Sequence, residues 1–96
     1  MIVLNVIYKC KPDLREAFLQ RIREEGIDAA SRAEAGNRKY DYYLPADDNG
    51  DLLLVEKWLD ADALAEHARQ PHYLRLGQIK PDYVRETLIE KFEYQE

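Results

Sequence analysis

The sequence predicts a single α+β domain over residues 1–96, with strands and helices in the order βαββαβ. Three observations carry this. Residues Ile2 to Lys9 alternate between two faces, Ile2, Leu4, Val6 and Tyr8 against Val3, Asn5, Ile7 and Lys9, as a strand does. Leu14, Phe18 and Ile22 recur every four residues, as on one side of a helix. Two apolar and aromatic runs, Lys39 to Leu44 and Leu52 to Trp58, flank the turn-forming set Pro45, Asp47, Asp48, Asn49 and Gly50, as in an antiparallel hairpin with a longer loop.

Both faces of the first strand are largely apolar, so it is expected to be covered on two sides. Pro12 suits the first turn of the helix that follows, and Asp13 with Glu16 has the spacing of a capping box. Gly26 interrupts that helix, and a second helical piece is expected from Ile27 to Glu34, ended by Gly36 and Asn37. After the hairpin, Asp60 is placed to cap a helix from about Ala61 to Arg69. Pro71 stops that helix and opens another through Ile79. Alternation from Val84 to Tyr94 closes the chain with a fourth strand.

This order is the ferredoxin-like arrangement, in which two helices cover one face of a four-stranded antiparallel sheet. Leu53 and Val55 point opposite to Leu52, Leu54, Glu56 and Trp58, so the uncovered face is apolar. The same face of a second copy would cover it, which predicts a homodimer, a dimeric α+β barrel.

Hydrophobic residues make up 46% and charged residues 34% of the 96, which describes a globular chain. No apolar run approaches the roughly 20 residues of a membrane helix, and Met1 to Leu4 reads as strand rather than leader, so a cytoplasmic location is expected. A net charge of −5 with scattered basic residues argues against a nucleic-acid surface. One cysteine, Cys10, excludes an internal disulfide and offers no thiol metal motif.

The most informative stretch is Glu56-Lys57-Trp58, Asp60 to His67, and Pro71-His72-Tyr73. Its E-x-W strand end, D-x-x-A-L-x-x-H helix and P-H-Y step resemble, in order and spacing, the antibiotic-biosynthesis-monooxygenase family. The segment Gly36-Asn37-Arg38-Lys39-Tyr40-Asp41 resembles that family's second strand, with Ala35-Gly36 in place of the usual Pro-Gly. The resemblance implies a cofactor-independent monooxygenase that oxidises a small phenolic or quinol-type substrate to a quinone. Haem-degrading relatives carry a ligating histidine where this chain aligns Gly77, so no haem is implied. The step from His67 to Tyr73 also resembles the enzyme that processes the phosphorylated autoinducer-2 signal. That implies an alternative, an isomerase of a small phosphorylated or carbonyl metabolite; a third reading is a non-enzymatic ligand-binding dimer.

Candidate catalytic residues are His67, Asn5 and Glu56; candidate substrate contacts are Trp58, His72, Tyr73 and Tyr40. His67 can act as a general base or bond to a strand residue. Glu56, on the strand face of Trp58 and Leu54, would be partly buried inside a dimer barrel, where burial raises its pKa unless a cation pairs with it. Asn5 can orient a quinol oxygen or fill a sheet hydrogen bond, and Trp58 can stack on an aromatic substrate or pack the core. His67 and His72, five positions apart across a proline, share no regular helix face, so no metal site is expected.

Overall fold

A computed structural model describes residues 1–95. The strands are β1 (Ile2–Cys10), β2 (Asn37–Tyr43), β3 (Asp51–Trp58) and β4 (Val84–Glu93); the helices are α1 (Arg15–Glu24), α2 (Ile27–Arg32), α3 (Ala61–His67) and α4 (Pro71–Ile79). The four strands form one sheet in the order β2-β3-β1-β4, and every pairing is antiparallel. This is the α+β ferredoxin-like topology that the alternation predicts.

Register decides which residues meet. Leu4 of β1 lies opposite Glu56 of β3, Ile2 opposite Trp58, and Leu4 opposite Lys91 of β4. Ile2, Leu4, Val6, Tyr8, Leu52, Leu54 and Trp58 are therefore buried under the helices. Phe18 and Ile22 of α1 and Ile27 of α2 close over them, the first two fully buried. Each such side chain contributes about 1.5–3 kcal/mol by leaving water. Tyr8 meets Phe18 edge to face at 5.2 Å, and Tyr83 stacks on the other side of Phe18.

The helix boundaries differ from the sequence reading at three places, one being α2, which ends at Arg32 rather than Glu34. Asp13 adopts φ 62, the left-handed region that aspartate tolerates better than most residues, and α1 begins only after Leu14, with no side-chain cap. The expected capping box is absent because the Glu16 carboxylate is taken by Arg15, at 3.0 Å, instead of reaching back to the helix start. Arg15 also grips Asp48 at 2.7 Å and thereby ties the hairpin loop to α1. At its far end α3 stops at His67 rather than Arg69, because Gln70, which precedes Pro71, is held extended. The Asp60 cap is present, its Oδ1 accepting from Ala63 N–H at 2.8 Å.

Two contacts set the position of α3. The Leu59 N–H donates to Gly36 C=O at 2.9 Å, which joins the end of β3 to the turn before β2. A Cβ on Gly36 would meet the Ala63 methyl at 2.3 Å, so the turn and α3 touch through hydrogen alone. Gly36→Ala is accordingly expected to destabilise the fold by about 1–3 kcal/mol, the usual cost of overpacking. Equilibrium urea denaturation measures this, and an unchanged midpoint would contradict it.

Candidate active site

His67 closes α3 and is 3% exposed. Its ring lies 4.4 Å from the Trp58 ring, and Tyr73 of α4 meets it edge-on at 5.1 Å. Nδ1 lies 2.5 Å from a carboxylate oxygen of Glu34, in the turn after α2, and Nε2 lies 3.8 Å from Glu56. The same Glu34 oxygen lies 2.8 Å from His72 Nε2. A carboxylate accepts, so Nδ1 donates and the neutral ring keeps its lone pair on Nε2. Burial pushes the His67 pKa down against the opposing pull of Glu34, which favours that neutral ring.

Glu56 is 6% exposed and has no Lys or Arg partner among the described residues. Burial raises its pKa to about 7, opposed by the hydrogen bond from Trp58 Nε1 at 3.0 Å and aided by the negative charge of Glu34. The sequence reading placed this burial in a barrel made by two copies; here the chain's own helices supply it. A carboxyl group with its pKa raised to about 7 and an imidazole with its pKa lowered by burial thus stand side by side.

Both line a cavity of about 490 Å³ between the sheet and the second helix pair. Leu4, Val6 and Tyr8 form its floor, Thr87, Ile89 and Lys91 extend that floor along β4, and Leu64, Tyr73 and Gly77 wall it. Burial pushes the phenols of Tyr8 and Tyr40 above their ordinary pKa, so both residues line the cavity in the neutral form.

The cavity gathers Glu56, His67, Tyr40 and Tyr73 from the residues singled out in the sequence. It does not gather the other three. Asn5 pairs with Val55 and Glu90 on the opposite face of the sheet, because it is odd-numbered in a strand whose even residues face the helices. Trp58 is fully buried against His67 and donates to Glu56, so it holds these two side chains and offers no face to the cavity. His72 turns to Glu34 rather than to the cavity.

Comparisons with known proteins show the family and the fold. The model of the antibiotic biosynthesis monooxygenase family matches residues 1–78. The chain belongs to that family. It is 36% identical over 73 residues to "Putative monooxygenase YcnE" of Bacillus subtilis, covering 76% of this chain and 75% of the relative. Its fold superposes on a "Putative antibiotic biosynthesis monooxygenase" from Nitrosomonas europaea with TM-score 0.88 and 27% identity, over 98% of each chain. The structure of Rv0793 from Mycobacterium tuberculosis matches at TM-score 0.85 and 29% identity, over 99% of this chain and 95% of that one. Among the described residues no helix is long and apolar enough to cross a membrane.

Within this member of the family, Glu34, Tyr8 and Lys91 are site residues that the sequence reading missed. Glu34 reaches His67 across 33 positions, and no local pattern signals such a contact. Tyr8 and Lys91 share a parity with residues known to face the helices, and that parity could have found them.

The Glu56 environment makes stability depend on pH. Its folded pKa of about 7 lies above the ordinary 4.5, so the folded state binds the extra proton between those values. The stabilisation that Glu56 contributes is then full below pH 4.5 and falls as pH rises toward 7, by about 3 kcal/mol at about 1.36 kcal/mol per unit. In chelator-treated protein Glu56→Gln is expected to flatten this decline, as read from urea midpoints across that window; an unchanged pH profile would refute it.

Proposed function

We propose that this family member is a monooxygenase that oxidises a small phenolic or quinol-type substrate to a quinone without a cofactor in the oxygen step. The carrying observation is the lone pair of His67 Nε2, held beside Glu56 in a cavity of about 490 Å³, within the usual size range of small-ligand sites. His67 takes the phenolic proton, and the neutral phenol of Tyr8 lines the cavity that holds the resulting anion. The electron-rich anion reduces dioxygen, and a carbon–oxygen bond forms at the ring. Glu56, poised near pH 7, protonates the distal oxygen; passage of the ring proton from that carbon to the same oxygen breaks the O–O bond, giving the quinone and water, and His67 returns the phenolic proton to Glu56. One phenol and one dioxygen yield one quinone and one water. Glu34 acts through His67, fixing its tautomer and orientation.

Isomerisation of a small carbonyl metabolite is the second reading, favoured by the same observation that two proton-exchanging groups adjoin one cavity. The purely structural reading, a barrel filled by its own side chains, has no support beside an open cavity of this size. Oxygen uptake with a panel of quinols and naphthols tests the first reading. His67→Ala is expected to lower kcat by about 10²–10⁴-fold, and Glu34→Gln to lower kcat with little change in KM. Folded protein that takes up no oxygen, yet exchanges solvent deuterium into a carbonyl substrate, would replace it with the second.

The other face of the sheet supports a homodimer. Ile7 pairs with Leu53 and with Leu88, and Val3 with Phe92, on the side without helices, where Leu88 and Phe92 are 40% and 52% exposed. A second copy packed on this face would cover an apolar surface that single chains rarely leave open. Ile7→Asp is expected to shift sedimentation from dimer to monomer at micromolar concentration. A wild-type chain that sediments as a monomer at all concentrations would overturn this.

A further inference from the structure

The side of His67 turned away from the cavity gathers metal donors. His67 Nδ1, His72 Nε2 and a Glu34 carboxylate oxygen lie within 4.8 Å of one another. Two imidazole nitrogens and a carboxylate oxygen make the donor set of a borderline first-row divalent ion, and a fourth position is left for water. We infer that Glu34, His67 and His72 form a regulatory site for a divalent transition-metal ion such as Zn²⁺.

Four features of the cluster support this. Glu34 is committed to the two imidazoles alone: its ion pairs among the described residues are with His67 and His72, and no Lys or Arg neutralises it. The support behind the ligands is already built, because His67 Nε2 faces Glu56 at 3.8 Å and Trp58 pins that carboxylate at 3.0 Å. With an ion on Nδ1 the ring proton moves to Nε2 and points at Glu56, the carboxylate–histidine–metal relation common at zinc sites. The donors are shielded but reachable, the side chains of His67, Glu34 and His72 being 4%, 13% and 15% exposed, and a surface groove along α3 reaches Glu34.

Metal–donor bonds of about 2.1 Å set tetrahedral donors about 3.4 Å apart. Glu34 must therefore withdraw by less than about 1 Å from its present 2.5 and 2.8 Å, and the two imidazole nitrogens, within 4.8 Å of one another, must approach by at most about 1.4 Å. Glu34 lies in the turn between α2 and β2. The ion has no part in the oxygen chemistry proposed above. Loading fixes the Nδ1 lone pair and protonates Nε2, so a loaded chain offers the cavity no base.

Titration of untagged, chelator-treated protein with Co²⁺ tests the site without any assay of activity. The expected result is a visible absorption band that saturates at one ion per chain and is bleached by Zn²⁺. Glu34→Gln and His72→Asn, checked for fold by circular dichroism, should each weaken binding by at least about tenfold. Glu66→Gln, in the neighbouring groove, should leave it unchanged. The chain has 2 histidines, so proton NMR reads the site even where a variant fails to fold: both imidazoles should show cobalt-induced shifts together. Folded wild-type protein that gives no saturable band, imidazole signals that do not respond, or binding that survives both variants would each overturn the inference.

Discussion

Removing a carboxylate from water costs several kcal/mol unless hydrogen bonds or charge replace what the water supplied. The helix-covered side of this sheet holds such a group at position 56, between the core residues Leu54 and Trp58. No basic side chain among the described residues answers it. The indole of Trp58 provides one hydrogen bond, and the remaining stress appears as a proton affinity shifted to neutrality. Much of the surrounding arrangement follows from this placement. Trp58 is spent on holding the carboxylate, His67 packs against Trp58, and Glu34 must come in from the far side to orient His67.

The fold was readable because its signals are local. Alternation in β1 and β3, four-residue spacing in α1, and the Asp60 and Pro71 boundaries all depend on neighbours within a turn or two. The failures at Asp13 and Glu16 are of another kind, since a guanidinium one residue away competed for the capping carboxylate. The site was half readable. His67, Glu56, Tyr40 and Tyr73 lie in a motif or on the right strand face, whereas Glu34 meets His67 only through the packing of α2 beside α4. Asn5 lies on the face away from the helices, as its odd position in the strand assigns it, and polarity alone does not reveal that face.

The two faces of the sheet divide the labour at single-residue resolution. On β4, Thr87, Ile89 and Lys91 floor the cavity while Leu88 and Phe92 belong to the apolar face behind it. Ile89 stays 63% exposed although it is on the helix side, because the helices do not extend fully over this edge strand. The cavity therefore opens along β4, whose other face would be the dimer contact. In the proposed dimer, association and access would be carried by alternate residues of one strand.

The wall of the cavity contains a glycine, Gly77, on α4, and a Cβ there would meet nothing within 4 Å. At Gly36 the absent side chain is enforced by Ala63; at Gly77 nothing enforces it. A first side-chain carbon can thus be added to this wall of the chamber without a clash. On the proposed function, selection among ligands of different bulk, by descent or by design, would have in this one position a dial separate from the chemistry.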